Sequence, residues 1–355
     1  MPFPILYLPK VPFLQCYQFL DFKEVILLSQ CSKSTRNLIQ SIEKHKKDTW
    51  MDIYVKETSM ALQLRSKKKE PSNPFEEDRR RFKWSLHTRR DPMTALMTKF
   101  VDLKIEGRIW IMSPSNTGWR LLTNYNEDYF LFWVHFLKDL FNCKIHRAQY
   151  ENGYHFNFDK LFRQTDLLHQ AEYIWLIDMK FSDTEVEVMM DSFEAKSFNL
   201  EGGVEDTFFY EKPIRFPRLL TSAWYSKDLG SFMSNLGKGE SLNFMDPRIS
   251  DEDTNVILKS WWASDNRQLA GITFSRYWEG RDFDIAKVTE GLPTMPGREK
   301  KRNATRHIMC QDNYQDGLDI LREDGVLATI LKHEDEGIGR EISLIVWNDP
   351  NPNVE

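Results

Sequence analysis

At 355 residues, with hydrophobic side chains at 41% and aromatics at 13%, the chain exceeds one ordinary domain and can fill more than one core. Its formal net charge of −5 supplies no broad basic field and argues against nucleic acid as a partner. Cys16, Cys31, Cys143 and Cys310 lie far apart with no CxxC pair, which argues against a disulfide framework or a Cys-rich zinc site and fits a reducing, cytoplasmic or nuclear compartment. Pro2, Pro4, Pro9 and Pro12 interrupt the apolar N-terminus and no cationic region precedes it, unlike a signal peptide. The most apolar run, 129–137, is far shorter than the roughly 20 residues that span a bilayer, so no membrane partner is expected.

Residues 3–45 read as short helices. Asp21-Phe22-Lys23-Glu24 has the form of a capping box and opens a helix carrying Val25, Ile26 and Leu28. Ser32 opens another, in which Thr35, Leu38, Ile39 and Ile42 form one stripe at i, i+3, i+4 and i+7. Pro12 requires a helix to begin near it, because an interior proline breaks the hydrogen-bond ladder. So short a segment buries too little surface to stand alone and needs a partner, inside the chain or outside it.

Alternation over 50–65 and 100–112 predicts strands of a small antiparallel sheet within a segment 49–125. Between them, Arg65 to Arg90 mixes Lys67-Lys68-Lys69 and Arg79-Arg80-Arg81 with Glu70, Glu76, Glu77, Asp78, Pro71 and Pro74, and reads as a solvated loop. From residue 140 strand and helix signals alternate. Strands are expected at 144–150, 173–177, 197–200, 222–226, 241–245 and 270–274, with helices at 158–168, 183–193, 228–236 and from Ser250. The helix at 183 follows a capping box at Ser182 and carries the stripe Val186, Met189, Met190 and Phe193. The one after Ser250 carries Val256, Ile257, Ser260 and Trp261. Strand centres roughly 20–30 residues apart suit a degenerate leucine-rich-repeat-like β/α solenoid over 126–306. Asp319–Arg322 and Val326–Lys332 flank Asp324-Gly325, the signature of a hairpin, and a strand at 341–347 completes an antiparallel cap over 307–355.

The segment FPILYLPKVPFLQCYQFLDFKEVILLSQCSKSTRNLIQSI resembles the F-box, ungapped from Leu8 to Lys33. It has the Leu8-Pro9 opening, then Leu14, Cys16, Phe19 and Leu20, then Val25, Ile26, Leu28, Ser29 and Cys31. The resemblance implies an F-box at 1–48 that binds a Skp-type adaptor and, through it, a cullin–RING ubiquitin ligase. It places the adaptor contacts at Leu8, Pro9, Leu14, Cys16, Leu20, Val25, Ile26, Leu28 and Ser29. Phe141-Asn142-Cys143-Lys144-Ile145, Trp261-Trp262, and Asp319-Ile320 with Asp324 to Ile330 resemble the type 2 F-box-associated domain. The whole then reads as a substrate receptor of α+β or α/β class, or as a repeat-protein scaffold without ligase assembly.

No GxxxxGK[ST], GxGxxG, GxSxG or HExxH frame occurs, so the chain is expected to be no enzyme and to need no cofactor or metal. Cys143 and His146 stand three apart on a strand without a second pair, more an ordinary strand than a metal site. If Ile174, Leu176, Phe198, Leu200, Leu242, Phe244, Ile272 and Phe274 point inward, the outward strand face carries Tyr173, Trp175, Asn199, Glu201, Asn243, Met245, Thr273 and Ser275. Trp175, Asn199, Glu201, Asn243 and Met245 are therefore the expected target-binding residues. The segment 277–306, taken as a loop with Tyr277-Trp278 and a basic run, is the rival reader.

Overall fold

A computed structural model describes residues 10–17, 20–44, 49–56, 59–66, 81–87, 101–105, 108–115, 118–122, 127–151, 168–177, 181–202, 210, 212–221, 233, 236–245, 249–276, 282–297, 317–335 and 339–347. An N-terminal helical region precedes a large strand-rich region, and the chain divides into two compact units, Met1–Trp175 and Leu176–Glu355.

The first unit opens with α1 (Lys10–Tyr17), α2 (Phe22–Ser29) and α3 (Lys33–Glu43). Pro12 lies in the first turn of α1, where its missing N–H leaves no helical bond unmade. Strands β1 (Thr49–Lys56), β2 (Ser59–Ser66), β3 (Arg81–His87), β4 (Val101–Ile105), β5 (Arg108–Ser115) and β6 (Gly118–Leu122) follow, then α4 (Glu127–Phe141) and β7 (Lys144–Glu151). Their order in the sheet is β7-β1-β2-β3-β6-β5-β4.

The pairs β1–β2 and β4–β5 are antiparallel, as the alternation predicts. β1 also pairs in parallel with β7, a connection that needs a crossover, and α4 supplies it. Met51, Ile53 and Val55 of β1, Met60, Leu62 and Leu64 of β2, and Ile145, Ala148 and Tyr150 of β7 are buried, as are Phe130, Trp133, Val134, Leu137 and Leu140 of α4. Asn142 ends α4 at φ 45, a left-handed position that asparagine tolerates.

β3 corrects the solvated-loop expectation for 65–90. Phe82, Trp84 and Leu86 alternate there and stand in register with the inward Leu64, Leu62 and Met60, while the flanking charge runs masked so short a strand.

β8 (Tyr173–Ile177) carries the chain into the second unit. There α5 (Asp183–Ser192), β9 (Ser197–Glu201), β10 (Arg218–Thr221), β11 (Ser241–Phe244), α6 (Asp251–Ala263) and β12 (Gly271–Arg276) follow in turn. β9 to β12 pair in parallel, with Phe198, Leu219, Leu242 and Ile272 in one row and Leu200, Thr221, Phe244 and Phe274 in the next. Both rows are buried, and the Phe198 ring stacks on Phe216 at 4.9 Å and Phe244 on Phe274 at 5.8 Å. The strand expected at 222–226 falls outside the described residues, while β10 lies at 218–221. Pro217 directly precedes it and still serves the ladder, its carbonyl accepting from the Ser241 N–H at 3.0 Å. The helices expected at 158–168 and 228–236 fall on segments that lie largely or wholly outside the described residues.

α5 has its Ser182–Glu185 capping box and buries Val186, Met189 and Met190. α6 has one too, closed by Asp253, but its buried face is Thr254, Asn255, Ile257, Leu258 and Trp261. Val256 is 40% exposed, because at 3.6 residues per turn it stands well off the line through 254, 258 and 261.

The segment 277–306 is not all loop. α7 (Ile285–Val288) and β13 (Thr294–Pro296) occupy part of it, and the Asn255 side-chain amide ties α7 to α6 by donating to the carbonyls of Val288 at 2.8 Å and Glu290 at 3.0 Å. β14 (Leu318–Leu321), β15 (Leu327–Asp335) and β16 (Gly339–Trp347) then form the antiparallel end of the sheet, with Gly325 turning the hairpin at φ 83. β16 pairs antiparallel with β12 and so covers the edge of the parallel run. The division at 175/176 coincides with none of the expected boundaries at 48, 125 and 306. β1 pairs with β7 across the second of these and β13 with β14 across the third.

Candidate functional site

Both capping interactions in the N-terminal helices are made. Asp21 and Glu24 each accept the other's backbone N–H at 2.8 Å, and Ser32 accepts from the Thr35 N–H at 3.0 Å. Phe13, Tyr17, Val25, Ile26 and Ile39 form the helical core. The buried Tyr17 hydroxyl donates to Glu43 at 2.6 Å; burial and then the carboxylate hold that hydroxyl well above its usual pKa. α3 packs on α4, with the Arg36 guanidinium 5.2 Å from the Phe136 ring and the Gln40 amide donating to the Asp139 carbonyl at 3.3 Å; Phe22 meets Phe141 edge-on at 5.1 Å. The small helical segment thus has a partner inside the chain. Leu14, Cys16, Leu20 and Leu28 remain half-buried, and Leu27 is 45% exposed.

In the second unit the inward set is buried as the alternation predicts, and the outward set is mixed. Glu201, Asn243 and Met245 are half-buried. Asn199 is 9% exposed and Ser275 is fully covered, its hydroxyl donating to Glu341 at 2.8 Å. Asn199, expected as an open contact residue, is thus nearly covered. Leu220 of β10 sits between Asn199 and Asn243 in register. The side-chain oxygen of Asn243 is buried and accepts no hydrogen bond.

The outward face of the first unit's sheet is charged and aromatic. Asp52, its side chain 1% exposed, accepts from Arg65 at 2.7 Å and lies 3.2 Å from His146 Nδ1. Arg65 also donates to the Tyr54 hydroxyl at 3.0 Å. The His146 ring stacks on Trp50 at 5.3 Å and meets Tyr173 at 4.8 Å, while the Arg147 guanidinium covers the half-buried Trp175 ring at 4.6 Å. A bulge makes this possible: the register slips between Met51 and Asp52, so that His146 and Arg147 both face outward. Cys143 is buried, its thiol pushed up to about 12 by burial, and it points to the Leu137 carbonyl, so Cys143 and His146 do not act together. Among the described residues no group of three or more His, Cys, Asp or Glu side chains could hold a metal ion, and no helix is long and apolar enough to cross a membrane.

Residues 5–47 match the F-box domain. No curated protein and no solved structure matches the chain. F-box domains typically bind Skp-type adaptors in cullin–RING ligases. Within the F-box, the described helices leave Leu14, Cys16, Leu20 and Leu28 partly open, and Leu8 and Pro9 lie outside the described residues. Val25, Ile26 and Ser29, also expected as contacts, are each buried at 4% exposure or less, and the Ser29 hydroxyl donates back to the Ile26 carbonyl at 2.6 Å.

Leu27 lies outside the apolar set Val25, Ile26 and Leu28 that the pattern of this helix offers, so the sequence alone does not single it out. The Asp52–Arg65–His146–Arg147 group is likewise absent from the expected site residues. The signal was present there: His146-Arg147 sets two polar residues side by side in a strand that otherwise alternates.

Proposed function

We propose that the chain is the substrate-recognition subunit of a Skp–cullin–F-box type ubiquitin ligase, docking on the adaptor through its F-box and holding a protein target on the remainder. The observation that carries this is the F-box match at 5–47, whose helices leave Leu27 exposed and Leu14, Leu20 and Leu28 half-buried. An apolar surface of that kind suits burial by a partner. The remainder is read as a type 2 F-box-associated domain built on a leucine-rich-repeat-like run. The support is the parallel register of β9 to β12 and the quoted motifs at 141–145, 261–262 and 319–330. Such a receptor needs no catalytic groups, cofactor or metal; it raises the local concentration of target lysines near a charged ubiquitin carrier, in the cytoplasm or nucleus.

One observation favours the second reading, a repeat-protein scaffold without ligase assembly: α3 already packs on α4, so the F-box helices have work inside the chain. Titration of the full chain with purified adaptor separates the two. The receptor reading expects binding at micromolar concentration or tighter, lost in Leu27→Asp, because that substitution would press a carboxylate into an apolar interface. A wild-type chain that ignores the adaptor at those concentrations leaves the scaffold.

A further inference from the structure

On the outward face of the first unit's sheet, one permanent positive charge has no counterpart among the described residues. Asp52 is already shared between Arg65 and His146. Arg147, displaced by the bulge, forms no ion pair among the described residues, and its buried Nε has no hydrogen-bond partner there. Among the described residues its guanidinium meets the face of Trp175, at 4.6 Å. Arg65 has a second buried Nε in the same condition. The Tyr54 hydroxyl lies within the field of both guanidinium groups. Arginine cannot escape by deprotonating, so a half-buried guanidinium without an anion is a standing cost that a ligand can remove. Its planar fork matches a carboxylate, and an aromatic wall behind it keeps the charge partly desolvated, which strengthens the pairing.

We infer that this face binds an acidic segment of a protein target, Arg147 taking a carboxylate side chain while the Trp175 and Tyr54 rings bound the site. The inference rests on the receptor reading and supplies its substrate class. Charge complementarity selects the occupant. Among the described residues the site sets Arg65 and Arg147 against Asp52, and farther along the same face Lys56 and Glu151 neutralise each other at 2.6 Å; a nucleic-acid strand requires several cations along its backbone and the chain is net negative at −5.

The test is selection of a displayed random-peptide library on the immobilised full chain, followed by affinity measurement of the enriched peptide. Asp and Glu should be enriched. Arg147→Gln should weaken the selected peptide by about ten-fold or more, and Arg147→Lys by less, since it keeps the charge and loses the fork. Arg147 has no ion-pair partner to strand among the described residues, so Arg147→Gln should melt like the wild type. Enriched peptides without carboxylates, no enrichment, equal affinity for Arg147→Gln, or displacement of the peptide by oligouridine would each overturn the inference. Adaptor binding measured on the same preparations reports on the receptor reading alone, so the two ideas fail separately.

Discussion

In the first unit the outward residues of β1, β2 and β7 are charged and aromatic, gathered around a buried Asp52. In the second, the outward residues of β9 to β12 are mainly amides, hydroxyls and Leu220, with Glu201 and Arg218 at strand ends, and Thr273 meets Ser343 hydroxyl to hydroxyl at 2.9 Å. The inward strand faces in the two units are alike, both filled mainly by aliphatic and aromatic side chains at close to zero exposure. Burial thus constrains one side of every strand in the same way, while the other side is left to differ, and the difference lies in where charge is placed: mid-strand at a buried Asp52 in the first unit, at strand ends in the second. Among the described residues, the first unit's face holds an unpaired cation; the second unit's face holds an unpaired acceptor, the Asn243 oxygen.

The comparison can be broken most sharply on an inward face. Phe274, 1% exposed and stacked on Phe244, should cost about 3–5 kcal/mol when changed to alanine, read as a lower denaturant midpoint. Met190→Ala on α5 should cost about 2–5 kcal/mol, whereas Val188→Ala on the same helix, at 52% exposure, should stay within about 0.5 kcal/mol. Equal effects at 188 and 190 would mean that α5 faces its sheet along another line.

Asp52→Ala comes next, at about 1–3 kcal/mol, because it strands Arg65 and His146 while solvent reaches Arg65 at 32% exposure and softens the loss. The matching change on the second unit, Asn243→Leu, should be neutral or stabilising by up to about 1 kcal/mol, since it removes a buried acceptor that has no donor. A clear loss of stability in Asn243→Leu would erase the contrast between the two faces.

The smallest effect is one of pH. Hydrogen bonds from Arg322 hold the Asp324 carboxyl down at about 2, from an ordinary value of 3.8. A carboxyl depressed in the folded state contributes stability that is fully present above its unfolded value and is lost as pH falls through the folded one. The difference in denaturant midpoint between wild type and Asp324→Asn should therefore be steady above pH 4 or so and shrink towards about pH 2. A difference that stays constant through that window would place the stabilisation elsewhere.

Much of this was legible in the chain itself. Local rules sufficed wherever a residue's environment is set by its near neighbours. The capping boxes at Asp21, Ser182 and Ser250, the stripe through Val186, Met189 and Met190, the inward rows of β9, β11 and β12, and the Asp324-Gly325 turn all follow from spacing and backbone preference. The F-box at 5–47 was readable for the same reason, being one ungapped run of local pattern.

What only the tertiary structure decided depends on residues distant in sequence. The Asp52–His146 contact and the Arg147–Trp175 contact exist because β1 and β7 pair in parallel across the α4 crossover with a bulge between Met51 and Asp52. Nothing local in residues 49–56 specifies that partner or that slip. Likewise Val25 and Ile26 could have faced an adaptor by their pattern alone, and α3 could have lacked a partner. It is the packing of α3 on α4 and the closure of the helical core that put Val25 and Ile26 inside and left Leu27 outside. Periodicity tells a strand or helix which residues share a side; long-range pairing tells it what that side will meet.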